Sequence, residues 1–248
     1  MLSRKLIGVN KLIIVLLAFL PALVRAQQPI PCPAADQLQQ YELKLNDWPQ
    51  LTRYRDENAK LPAPTKSEAR VVFLGDSITE FWNLPASFPG KPYLNRGISG
   101  QTTPQILLRF RPDVINLKPK VVVILAGTND IAENTGPMPL SVIEGNIASM
   151  AELAHVNGIK VVLASVLPAA RYPWRPDIEP IEKIRAINAW IKDYAAQSGS
   201  IFLDYFTAMT DEKSGLKPTL SEDGVHPTPA GYAVMAPLAE KAIADALK

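Results

Sequence analysis

Val71-Val72-Phe73-Leu74-Gly75-Asp76-Ser77 is the stretch that decides how this chain of 248 residues folds. Two β-branched valines and a large aromatic suit a buried strand, and the run breaks at Gly75 into Asp76 and Ser77, residues that favour a turn or helix start. Ser77 is therefore presented at the C-terminal edge of a strand. In open parallel α/β sheets ligands bind at that edge, and a helix beginning there points unpaired N–H groups at any nearby anion. A nucleophile would be well placed. The motif alone leaves open a plain helix N-cap serine.

Further strand-like runs follow at Tyr93 to Asn95, Val121 to Leu125, Lys160 to Val166 and Ile201 to Tyr205. Helical patterns lie between them at Pro104 to Leu117, Ser141 to Asn157 and Ile178 to Ala196, with a last one from Pro229 to Leu247. Strands alternating with helices predict an α/β domain whose parallel sheet is covered on both faces. Gly158 stands where a C′ glycine would stop a helix, and Thr228-Pro229 reads as an N-cap followed by proline at N1. Two more polar blocks fall after strands: Gly97-Ile98-Ser99-Gly100-Gln101-Thr102-Thr103 and Gly127-Thr128-Asn129-Asp130. Each alone is ordinary turn chemistry. Three such blocks at one sheet edge point to a site.

Acyl transfer by a serine needs a base, a group to orient that base, and donors for the developing oxyanion. The chain has two histidines. His155 lies in a helical segment that ends at Gly158 and reads as a surface or helix C-terminal histidine. His226 lies in Asp223-Gly224-Val225-His226-Pro227, where a short Asp-x-x-His loop can set a carboxylate against an imidazole. That pair lacks further plausible metal ligands.

These residues resemble the GDSL esterases, or SGNH hydrolases, of the secreted bacterial, lysophospholipase-like type. Four motifs in the family's order carry the resemblance over roughly residues 70 to 245: Gly75-Asp76-Ser77, Gly97 to Gly100, Gly127-Thr128-Asn129-Asp130, and Asp223-x-x-His226. Ile78 replaces the leucine of the family name and keeps an apolar side chain. The resemblance implies Ser77 as nucleophile, Asp223 and His226 as acid and base, and an oxyanion hole of Ser77, Gly100 and Asn129. It also implies a three-layer α/β/α sandwich, a flavodoxin-like five-stranded parallel sheet of order 2-1-3-4-5. No metal and no organic cofactor is expected.

The substrate expectation is a short acyl ester, acetyl above all, on a carbohydrate or similar polar alcohol. Phe81-Trp82 follows Ser77 by about one helical turn, where bulky rings would shorten an acyl pocket, and Pro168 to Pro180 brings Arg171, Tyr172, Trp174 and Arg175 toward the same edge. Trp82, Trp174 and Arg175 are the candidate substrate-binding residues, with core packing as the alternative for both tryptophans. The same triad would serve a lysophospholipase, a thioesterase or an acyltransferase. A catalytically silent carbohydrate-binding protein would have no need of Ser77, Asp223 and His226 together, and a nucleotide-binding reading lacks the Gly-x-Gly-x-x-Gly fingerprint.

Residues 1–26 read as a secretory signal: Arg4, Lys5 and Lys11 lead into the apolar run Leu12 to Leu20, and Val24-Arg25-Ala26 ends on a small residue. The run is too short for a comfortable membrane anchor, so no stable insertion is expected after cleavage, and the expected location is secreted or periplasmic. Cleavage there takes 26 basic and 24 acidic residues to 22 and 24, so a net charge of +2 becomes −2. Nothing in that balance suggests a nucleic-acid partner. A lone cysteine, Cys32, excludes an intramolecular disulfide, and with two histidines it argues against a Cys/His metal cluster. Residues 27–69 are expected to form a helical extension that packs on the 70–248 hydrolase domain through Leu38, Tyr41, Leu45, Trp48 and Tyr54. The oligomeric state is not legible.

Overall fold

The computed structural model describes residues 38, 41, 42 and 45–248; the expected leader and Cys32 lie outside the described residues. Five parallel strands, β1 (Val71–Gly75), β2 (Tyr93–Gly97), β3 (Val121–Leu125), β4 (Lys160–Ala164) and β5 (Ile201–Leu203), form one sheet in the order β2-β1-β3-β4-β5. This is the expected 2-1-3-4-5 arrangement. Strand alternation divides the core. Val72, Leu74, Val122, Ile124 and Leu163 enter one apolar layer, while Val71, Phe73, Val121, Val123 and Val162 enter the other.

The helices are α1 (Arg55–Lys60), α2 (Ser77–Glu80), α3 (Leu84–Ser87), α4 (Thr103–Leu108), α5 (Phe110–Asp113), α6 (Thr128–Ile131), α7 (Leu140–Val156), α8 (Ile181–Ser198), α9 (Tyr205–Met209) and α10 (Pro229–Ala246). Helices α7 and α8 cover the first layer with Ile143, Ile147, Met150, Ile184, Ile187 and Ile191. Helix α10 covers the second with Met235, Ala239 and Ile243. Among the described residues no helix is long and apolar enough to cross a membrane.

Several expected elements are shorter than their sequence patterns, β4 among them, which ends at Ala164 and not at Val166. The 104–117 pattern breaks into α4, α5 and a 3₁₀ turn at Ile115–Leu117, because Pro112 has no N–H to give the carbonyl of Leu108 and its ring would clash there. The break lets Arg109 turn fully inward. Its guanidinium donates to Gly75 O (2.8 Å), Arg96 O (2.8 Å), Gln101 Oε1 (2.5 Å) and Asp113 Oδ2 (3.1 Å). Strand β5 stops at Leu203 because Asp204 caps α9, accepting from the Thr207 N–H at 2.9 Å.

The segment before the domain is attached by polar bonds more than by the expected apolar stripe. Leu38, Tyr41, Leu45, Trp48 and Leu51 are all exposed. Instead, Gln105 Nε2 donates to Trp48 O and Gln101 Nε2 to Pro49 O, each at 2.8 Å. Tyr54 is buried, gives its hydroxyl to Gly97 O at 2.5 Å, and lies under the Arg96 guanidinium at 4.6 Å. Arg96 in turn donates to Asn58 and Glu57.

Arg109→Met is expected to destabilise the fold by about 3–5 kcal/mol, because buried Asp113 loses its cation and two strand-end carbonyls lose a donor. Urea denaturation followed by circular dichroism measures it.

Candidate active site

The parallel register sets the site. Gly75 stands opposite both Gly97 and Leu125, so β1, β2 and β3 end level and release their loops at one edge. Only a glycine fits at position 97, since a Cβ there would overlap the backbone nitrogen of Glu80 in α2. Asp76 caps α2 by accepting from the Ile78 N–H (3.0 Å), which makes Ser77 the first helical residue. The Ser77 N–H is thus one of the helix's orphan donors.

Ser77 Oγ lies 2.9 Å from His226 Nε2, and His226 Nδ1 lies 2.6 Å from Asp223 Oδ2. The other Asp223 oxygen accepts from the N–H groups of Val225 (2.9 Å) and His226 (2.8 Å) and from Ser221 Oγ (3.2 Å). Partial burial works against the Asp223 charge, but the bonds from the His226 ring and from the His226 and Val225 backbone prevail and hold its carboxyl down to about 2. An ionised Asp223 calls for the ring proton on Nδ1, which leaves Nε2 free to accept from the Ser77 hydroxyl. His155 lies exposed at the end of α7, away from this arrangement.

Opposite this line stand the two remaining loops. Gly100 adopts φ +77°, a left-handed conformation that side chains disfavour, and its N–H meets no acceptor among the described residues. Asn129, in the first turn of α6, is buried, and its Nδ2 donates to Gln101 O (3.0 Å) and Asp76 Oδ2 (3.3 Å). Its Oδ1 accepts from Asn134 Nδ2 at 2.8 Å.

At the mouth, the ring of Phe81 lies 5.6 Å from the His226 ring and that of Trp174 lies 6.1 Å from it. Both are solvent-facing, Phe81 at 57% and Trp174 at 40% exposure. Trp82 corrects the sequence expectation. It is 3% exposed, stacks on Tyr232, packs edge-on to Phe73, and donates its indole N–H to Ser87 Oγ, so it is a core residue. Arg175 is likewise spent. Its five N–H donors are engaged by Ala132 O, Glu133 O, the Glu133 carboxylate and both oxygens of Asp177, so it clasps two loops together and has no donor left for a substrate.

The model of the GDSL-like Lipase/Acylhydrolase family matches residues 73–234. The chain belongs to this family. A GDSL-like lipase from Bacteroides thetaiotaomicron shares its structure with a TM-score of 0.78 and 51% identity, over 80% of this chain and 99% of that one. Esterase TesA of Pseudomonas aeruginosa is 32% identical over 54% of this chain and 60% of its own length. An acetylxylan esterase of Geobacillus stearothermophilus is 25% identical over 68% and 91%. The chain spans between 32% and 60% of the length of the first curated relatives it matches.

Within this GDSL-like fold Asn134 escaped the reading of the sequence, and Phe81 was named with Trp82 but not chosen as a substrate-binding candidate. Asn134 sits in Asn134-Thr135-Gly136, which reads as turn chemistry, and no local signal marks its contact with Asn129. Phe81 stood beside the bulkier Trp82, and only the end of α2 decides which of the two rings faces solvent.

Buried acids give the family's site a pH signature. Burial pushes the Asp76 carboxyl up to about 7, against the Ile78 N–H and nearby His226, and pushes Asp130 up to about 6 despite bonds from Thr103. In both cases the folded state holds a proton that the unfolded chain releases near its ordinary value of 3.8. The folded state therefore loses relative stability as pH rises from about 4 to 7, whereas Asp223 adds stability that disappears only as pH falls from 3.8 toward 2. Stability is expected to drop by on the order of 5 kcal/mol between pH 4.5 and 7.5. Asp76→Asn keeps a capping oxygen and should flatten the part of the profile above pH 6; urea titrations at half-unit pH steps test both statements.

Proposed function

We propose that this chain is a serine carboxylic-ester hydrolase that is exported from the cell and removes short acyl groups, acetyl above all, from carbohydrates or similar polar alcohols. One observation carries the reading: the continuous line Ser77 Oγ, His226 Nε2, His226 Nδ1, Asp223 Oδ2, with contacts of 2.9 Å and 2.6 Å. Ser77 Oγ attacks the ester carbonyl carbon as its proton passes to His226 Nε2. The carbonyl oxygen gains the charge of the tetrahedral intermediate. The N–H groups of Ser77 and Gly100 are its proposed donors, with the Asn129 amide, which would exchange its 3.3 Å bond to Asp76 Oδ2 for one to the oxyanion. Collapse breaks the bond to the alcohol oxygen, which takes the proton from His226, and leaves an acyl-serine. Water then repeats the sequence, giving its proton to His226 and releasing the acid and free Ser77.

The polar-alcohol side rests on the mouth. Phe81 and Trp174 offer two exposed ring faces beside His226, suited to the apolar faces of a sugar, and both stand at the mouth of the Ser77–His226 line. The likeness to an acetylxylan esterase supports the same choice. Export rests on the leader pattern of residues 1–26.

Ser77→Ala and His226→Ala are each expected to lower kcat at least about a thousandfold while leaving the urea midpoint unchanged. In a p-nitrophenyl ester series, kcat/KM should fall from acetate to octanoate. A lipid-sized pocket would reverse that order, since each buried methylene contributes up to about 0.8 kcal/mol. Octanoate as the better substrate would remove the short-acyl reading and leave the serine chemistry standing.

A further inference from the structure

We infer that Asn134 is a positioning residue which, together with Trp174, fixes the orientation of the Asn129 amide; the inference rests on the proposal that Asn129 is an oxyanion donor. An asparagine amide has two faces of opposite character, a carbonyl oxygen that accepts and an NH₂ that donates. An Asn129 turned by half a revolution would aim its oxygen at a developing oxyanion and repel it. Something must fix the choice.

The fixing chain starts from a group that cannot be reversed. An indole nitrogen only donates, and Trp174 Nε1 lies 2.9 Å from Asn134 Oδ1. The Asn134 oxygen must therefore face Trp174, which turns its Nδ2 toward Asn129 Oδ1 at 2.8 Å. With its oxygen occupied in this way, Asn129 points Nδ2 toward Gln101 O and toward Asp76, the residue before Ser77. Asn134 Nδ2 also reaches the Gly100 carbonyl at 3.5 Å, so one side chain spans both loops that carry proposed oxyanion donors. The backbone holds Asn134 in register with this task, since its N–H donates to Asn129 O at 3.0 Å. Trp174 stands beside His226 at the mouth, so the residue that a substrate would touch also anchors the orienting chain.

Aspartate at position 134 makes a sharper test than alanine. Its carboxylate cannot donate to Asn129 Oδ1 and would accept from Asn129 Nδ2 instead, which pulls the amide the wrong way round. Measured on p-nitrophenyl acetate, Asn134→Ala is expected to lower kcat about tenfold and Asn134→Asp about a hundredfold, within the cost of removing an oxyanion donor, with KM changed less than twofold. Trp174→Phe keeps the ring and loses the N–H, so a kcat loss of about threefold is expected. In the Asn129→Ala background, Asn134→Asp should cost no further activity, because the amide it misdirects is gone. Equal losses for alanine and aspartate, a loss confined to KM, or costs that add fully in the double variant would each overturn the inference. Wild type and Ser77→Ala are run alongside. Absence of Ser77-dependent turnover in wild type overturns the esterase reading and this inference with it, whereas normal wild-type turnover with an unaffected Asn134→Asp overturns this inference alone.

Discussion

The structure depends on parallel strands that end level. Because β1, β2 and β3 run in one direction and Gly75 pairs with both Gly97 and Leu125, every loop leaving them must emerge on the same edge. Buried Arg109 ties two of their terminal carbonyls, Gly75 O and Arg96 O, together with one guanidinium, beside the bond that Gly75 O already accepts from the Ile98 N–H. The loops bearing Ser77 and Gly100 are thereby held by a cation whose own charge is balanced by Asp113. A glycine at 97 lets the end of β2 approach α2 closely enough for this to happen.

The same edge concentrates groups that a fold optimised for stability alone would avoid. Asp76 is buried at the start of α2 and Asp130 beneath Thr103, both with carboxyls that resist ionisation. Asp223 is the opposite case: a carboxylate stabilised by ring and backbone N–H groups. Within one site, then, burial keeps two carboxyls reluctant to ionise and hydrogen bonding keeps a third charged. That separation is how neighbouring groups of one chemical type acquire different roles.

The stretch before β1 is part of this organisation. Trp48, Pro49 and Tyr54 meet Gln105 of α4, Gln101 of the loop before it and Gly97 at the end of β2. Arg53 pairs with Glu80 of α2, which also accepts from the Ser99 N–H at 2.7 Å. Glu80 therefore ties the helix that begins at Ser77 to the residue preceding Gly100. The extension thus bonds to Gly97 directly and to Ser99 through Glu80, from residues that lie outside the matched family region.

By itself the sequence determined the strand runs, their alternation with helices, the C′ position of Gly158 and the Thr228-Pro229 helix start, because each depends on local periodicity or a residue's own backbone preference. It also marked Ser77 at a strand end and Asp223 with His226 in one short loop, and the family resemblance that these motifs carry added Gly100 and Asn129. It could not say which side of a helix end turns toward solvent, so Trp82 and Phe81 exchanged places. Nor could it say that the donors of Arg175 were already taken by Glu133 and Asp177. Asn134 lay wholly outside its reach. Its role exists only because Trp174, forty residues on, returns to within 2.9 Å of it. Local chemistry writes the elements, but the direction of an amide or a ring is set by neighbours that chain folding brings from far away, and those only the tertiary structure decided.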